Sequence, residues 1–109
     1  MVSDNSPTAI AKLNDELRKS VPAFPTPHRL VMTAAVFGLP SDVLDRMFER
    51  IRTFSSFNRD NDPHREHDFG AIDLGGVRYI WKFDYYDDAF EHHAENGIRV
   101  LTIMPASEY

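Results

Sequence analysis

The segment EHDFGAIDLGGVRYIWKFDYYDD, Glu66 to Asp88, carries a histidine, a lysine, an arginine and several aspartates at spacings that could do acid–base chemistry. If Gly75 and Gly76 form a two-residue turn, the flanking runs pair as an antiparallel hairpin whose side chains alternate between two faces. One face then sets His67 opposite Asp84, Phe69 opposite Lys82, Ala71 opposite Ile80 and Asp73 opposite Arg78. A carboxylate bonded to one imidazole nitrogen fixes the tautomer and raises basicity, which makes a general base, while Lys82 and Arg78 could hold an anionic intermediate. Small sheet-based ribonucleases use such groups. Against catalysis, no serine, threonine or cysteine nucleophile lies at a diagnostic spacing, and cross-strand ion pairs ordinarily only stabilise sheets.

Metal binding is the second chemistry these residue types allow. DNDPHREHD places Asp60, Asp62, His64, Glu66 and Asp68 at alternate positions, and carboxylate with imidazole suits a divalent ion. An EF-hand would need glycine at its sixth position and glutamate at its twelfth, where Arg65 and Ala71 stand. His92 and His93 are adjacent, which on a helix points them about 100° apart. Asp60, Asp62 and His64 are therefore weak candidates, and neither a metal nor any other cofactor is expected.

The third chemistry is charge itself. The 109 residues have a formal net charge of −5, and it is concentrated: Asp60 to Glu95 holds ten acids against three bases. Such a segment repels phosphate backbones, so direct nucleic-acid binding is not expected. It could instead meet a basic protein surface, with Asp87, Asp88, Glu91, Glu66 and Asp62 as the contact acids. The absence of cysteine removes disulfides and thiol chemistry. No run approaches the roughly 20 apolar residues of a membrane span and no signal peptide is evident, which points to the cytoplasm.

These residues need elements to hold them. PTAIAKLNDELRKS carries Ile10, Leu13 and Leu17 on one helical face, predicting a helix from about Pro7 to Ser20. VPAFPTPH, with three prolines, reads as a connector of polyproline character, with Phe24 tucked back onto the core. RLVMTAAV, Arg29 to Val36, reads as a buried strand. Ser41 is a credible cap for a second helix over about Asp42 to Phe54, whose Val43, Leu44, Met47, Phe48, Ile51 and Phe54 make a face wide enough to cover a sheet. Trp81, Tyr79, Phe83 and Tyr85 alternate on the hairpin's second strand as the core face, with Gly70 leaving room for the indole. IRVLTIM is a last strand closed by Pro105. The order α-β-α-β-β-β predicts one α+β domain over residues 1–109, two helices covering one face of a mostly antiparallel sheet of about four strands.

The segments LNDELR, VMTAAVFGLP, FNRDNDPHREHDFGAID, WKFDYYD and RVLTIM, with a terminal EY, resemble a family of small bacterial proteins known only as a domain of unknown function. The similarity spans about Ile10 to Tyr109. It implies a bacterial cytoplasmic or mobile-element protein and brings no catalytic residues with it. Two functions remain open at this stage. One is a non-enzymatic interaction or regulatory protein whose acidic segment, 60–95, docks on a basic protein and inhibits a nucleic-acid-handling enzyme; a homodimer is compatible with it. The other is a small nuclease-like hydrolase using His67, Lys82 and Asp84.

Overall fold

A computed structural model describes residues 8–87, 89 and 97–109. The first helix, α1, runs Ala9–Lys19; Thr8 caps it by accepting from the Ala11 amide at 3.0 Å, and Arg18 and Lys19 sit in its last turn where the helix dipole favours cations. Its apolar stripe is as expected, with Leu17 buried and Ile10 and Leu13 packed against the core. The deepest line on the same face is less obvious: Ala11, Asn14 and Arg18 are all buried.

The proline connector turns over residues 20–22 and 26–27 rather than following the extended polyproline path expected, and it contains cis bonds at Val21–Pro22 and Thr26–Pro27. Phe24 does return to the core, stacking on Phe83 with ring centroids 6.4 Å apart. The strand expected over Arg29–Val36 is shorter. Strand β1 is Arg29–Met32, and the chain then turns into a single helical turn, α2, Ala34–Phe37. Thr33 ends the strand with its amide still bonded to the Ile103 carbonyl, and its own carbonyl then accepts from Val36 and Phe37, starting the turn that buries Val36. Two alanines, strong helix formers, allow this. Helix α3, Ser41–Arg52, follows Pro40, which takes the cap position in place of Ser41.

The hairpin is β2, Phe69–Leu74, and β3, Val77–Tyr86, joined by Gly75 and Gly76 at φ 57° and 80°. Its register is the expected one from Leu74↔Val77 to Phe69↔Lys82. Strand β4, Ile98–Pro105, pairs antiparallel with β3 and parallel with β1, giving the sheet order β1-β4-β3-β2. A short 3-10 turn over Ala106–Glu108 follows. Among the described residues, three α-helices rather than two thus lie with a mostly antiparallel four-stranded sheet, an α+β fold.

One sheet face carries Tyr79, Trp81, Phe83 and Tyr85 with Ile72, Leu101 and Ile103, and packs under Leu17, Val36, Met47, Phe48 and Ile51. Gly70 lies directly against the indole: a Cβ there would stand 2.5–2.7 Å from three atoms of Trp81. The other face keeps Arg78, Lys82 and Asp84 with Asp73, Thr102 and Met104. Among the described residues no helix is long and apolar enough to cross a membrane.

Candidate functional site

The expected His67–Asp84 pair does not form. Ladder pairing ends where the Phe83 amide donates to the Asp68 carbonyl at 2.8 Å, and the residue before it, His67, takes a left-handed φ of 55°. That conformation lifts the imidazole out of the alternation and swings it to the helix side. There it stacks on Phe57 at 4.0 Å, and its Nδ1 donates to both Asp15 oxygens at 3.0 Å. Nε2 lies 3.7 Å from the Asp62 carboxylate. Asp84 instead accepts from Lys82 on the open face, while Arg78 is held by Asp73 in two bonds of 3.0 and 3.2 Å. The Asp73 carboxyl is lowered and the Arg78 guanidinium raised from their ordinary pKa values, each chiefly by this hydrogen bonding. The four residues of the hydrolase reading are therefore split between two faces.

Asp62 is not the surface acid expected of it. It is only 5% exposed, and one carboxylate oxygen accepts from the amides of Glu66 and His67 at 2.9 and 3.0 Å. This cap holds the turn in which Arg65, at φ 54°, and His67 are both left-handed without being glycine. Thr8 ties the same turn to α1 through the Arg65 carbonyl at 3.1 Å. Glu66 is half-buried and accepts from the Tyr85 hydroxyl at 3.1 Å. His64 is exposed, and among the described residues no group of three or more His, Asp or Glu side chains is placed to hold a metal ion. Asp87 accepts from the Ala89 amide at 3.2 Å; Asp88, Glu91, His92 and His93 lie outside the described residues.

A buried polar network under the end of the sheet was not visible in the sequence. Asn14, fully buried, donates to the Glu66 carbonyl at 3.0 Å and to the Tyr85 hydroxyl at 2.9 Å, and accepts from Arg99 Nε at 3.2 Å. Arg99 also donates to the Gly97 carbonyl and lies 4.8 Å over the Tyr85 ring. Burial lowers the Arg99 pKa and raises that of the Tyr85 phenol. The Arg99 amide donates to His28 Nδ1 at 2.9 Å, and burial followed by the Arg99 charge keeps that imidazole below its ordinary value. Arg18 caps the end of α3 by donating to the Ile51 and Phe54 carbonyls, both at 2.8 Å, and pairs with Asp15 at 2.8 Å. Polar residues on a helix ordinarily face water, and only the spacing of four between Asn14 and Arg18 in LNDELR hints otherwise.

Three acids gather where the hairpin opens. A cleft of about 420 Å³ is lined by Asp60, Asp68 and Asp84, with Lys82 as its cation and Phe69 and Tyr109 as aromatic walls, their centroids 5.6 Å apart. The Asp68 carboxyl is raised above its ordinary pKa, first by burial and then by the nearby Glu66 charge. Negative charge there is under-compensated, which suits a cation flanked by aromatic rings.

Fold and site together define a two-layer α+β protein with a buried polar network on one side and an acidic cleft on the other. The chain belongs to DUF3768, a family of proteins of unknown function, whose model matches residues 32–108. Helix α1 and most of β1 precede the matched stretch. No curated protein matches the chain, and no solved structure does.

Proposed function

We propose that this chain is a non-enzymatic interaction protein that docks on a basic protein surface, with a lysine or arginine of the partner entering the cleft between Asp60, Asp68 and Asp84. The observation that carries this reading is the cleft's excess of carboxylates beside two aromatic rings, with Lys82 already bonded to Asp84. A partner cation there would offset the burial and, after it, the Glu66 repulsion that raise Asp68. Asp87, Asp88 and Glu91 follow the hairpin in sequence and extend the same charge. A basic partner such as a nucleic-acid-handling enzyme in a bacterial cytoplasm, inhibited by the contact, fits this chemistry. The hydrolase reading has less support, because both ring nitrogens of His67 face carboxylates on the far side of the sheet from Lys82.

The test is affinity capture from cells that encode the chain, followed by association kinetics of the captured protein against Asp60→Asn/Asp68→Asn/Asp84→Asn. A recurrent basic partner is expected, with association slowed several-fold and its salt dependence flattened in the variant. Unchanged rates across the salt range would sink the reading.

A further inference from the structure

Strand β2 is an edge strand, and the ladder tells which of its backbone groups look outward. In an antiparallel pair, bonded and non-bonded residue pairs alternate. The bond from the Phe83 amide to the Asp68 carbonyl marks pair 68/83 as bonded, so Gly70, Ile72 and Leu74 face β3, while Phe69, Ala71 and Asp73 turn their N–H and C=O groups to the free edge. The Asp73 carbonyl confirms the direction, since it accepts from Arg50 of α3 at 3.3 Å. Among the described residues, nothing bonds the outward groups of Phe69 and Ala71.

That edge is not flat surface. A groove of about 410 Å³ runs beside it, with Phe69 and Ala71 on one side and Ser55, Ser56, Asn58 and Asn61 on the other. Its volume is within the range of about 300–1,000 Å³ usual for ligand sites. The wall is built: Asn61 donates to the Ser56 carbonyl at 2.8 Å and accepts from the Asn58 amide at 2.9 Å. The strand has no proline, lysine or bulge, and its charge, Asp73, and the Arg50 cover lie at the turn end, away from Phe69 and Ala71. Phe69 and Asn61 line both this groove and the acidic cleft, so the unpaired edge leads into the carboxylates.

We infer that the groove beside β2 takes an extended peptide segment of a partner protein as a fifth strand, paired to the backbone of Phe69 and Ala71, with a basic side chain of that segment in the acidic cleft. Main-chain bonds to a sheet edge supply affinity without demanding a sequence, and the side chain entering a neighbouring cleft supplies selectivity. Antiparallel addition runs the peptide from the Asp73 end towards Phe69, so its basic residue lies towards its C-terminal end. Ala71 leaves the neighbouring strand side-chain space on the open face. The charge of the ligand rests on the docking reading above; the strand pairing does not.

The probe is the fluorescein-labelled pentapeptide Thr-Val-Thr-Arg-Val, acetylated and amidated, titrated into the full chain with anisotropy and amide NMR as readouts. Two further peptides carry N-methyl groups on alternate backbone nitrogens, one on the odd and one on the even positions. Strand addition predicts that one methylated peptide loses about tenfold or more in affinity, the size of a net hydrogen bond, while the other binds like the parent. The Phe69 and Ala71 amides should gain protection from solvent exchange in the complex. Ala71→Pro removes an outward N–H and no ladder bond, and should weaken binding while the rest of the amide spectrum stays in place. The methylated peptides test the same point without touching the protein. Equal effects of the two methylations, or no binding at about 1 mM peptide, overturn strand addition. So does sedimentation showing that a second copy of the chain occupies the edge and excludes the peptide. If methylation is without effect but Asp60→Asn/Asp84→Asn abolishes binding, strand addition falls and the acidic docking reading stands. If the methylation asymmetry persists while Arg→Glu in the peptide changes nothing, the docking reading falls and the paired edge stands.

Discussion

Two regions of this molecule use the same residue types to opposite ends. Under the helices, Asn14, Asp15, Arg18, Asp62, His67 and Arg99 bond to one another and to backbone groups of distant segments. At the open end of the hairpin, Asp60, Asp68 and Asp84 line a cleft whose lysine, Lys82, bonds to Asp84. The first set does structural work: it pins the loop before β2 to α1 and closes the end of α3. Acidic content is therefore a poor guide to a docking surface. What separates a structural acid from an available one is what its oxygens bind: Asp62 accepts from the amides of Glu66 and His67 and so holds a turn, whereas Asp68, six positions on, accepts from its own amide.

The contrast breaks most directly at Arg18. Arg18→Ala leaves the Ile51 and Phe54 carbonyls without their donor and Asp15 without its guanidinium, an expected loss of about 2–4 kcal/mol in denaturant unfolding. Arg78→Ala on the open face should shift the midpoint far less, its pair with Asp73 being solvent-exposed. Equal shifts would erase the distinction between the two regions.

A second, smaller effect is expected where the hairpin meets the core. Gly70→Val drives a branched side chain into the Trp81 ring and should destabilise by about 1–3 kcal/mol, with altered tryptophan fluorescence. An unchanged midpoint and spectrum would refute the close contact that places β2, and with it the edge and the cleft.

The smallest effect sharpens the comparison from the acidic side. Because the folded-state pKa of Asp68 is raised, its ionisation disfavours the fold, so this contribution is intact below the unfolded value of 3.8 and is lost as pH rises through the folded one. Asp68→Asn should match the wild type in stability at acid pH and exceed it at neutral pH. A variant less stable at pH 7 would mean that Asp68 has a favourable partner and belongs with the structural acids.

Much of the scaffold could be read in advance. The glycine pair set the hairpin register through Phe69, and the face of Met47, Phe48 and Ile51 identified the covering helix, because turn chemistry and helical periodicity are local. The site was less legible for equally physical reasons. A left-handed histidine leaves no mark in a sequence, so extending the two-residue alternation past Phe69 put His67 on the wrong face. Asn14 and Arg18 are polar at helical spacing, which ordinarily means solvent; their burial depends on carbonyls of segments about 30 to 50 residues away. The strand expected to continue to Val36 failed at Thr33, where tertiary packing of Val36 favoured a helical turn.

The parallel pairing of β1 with β4 has a kinetic side. The hairpin closes through two residues, but Arg29 meets Val100 only after about seventy residues of chain are looped back. The entropy of closing such a loop grows only logarithmically with its length, so it weighs little on final stability and heavily on the rate at which the sheet is completed. Until that late contact is made, β4 is itself an unpaired edge. During folding, for that interval, the free edge on that side is the eight-residue β4, where the finished sheet presents only the four-residue β1.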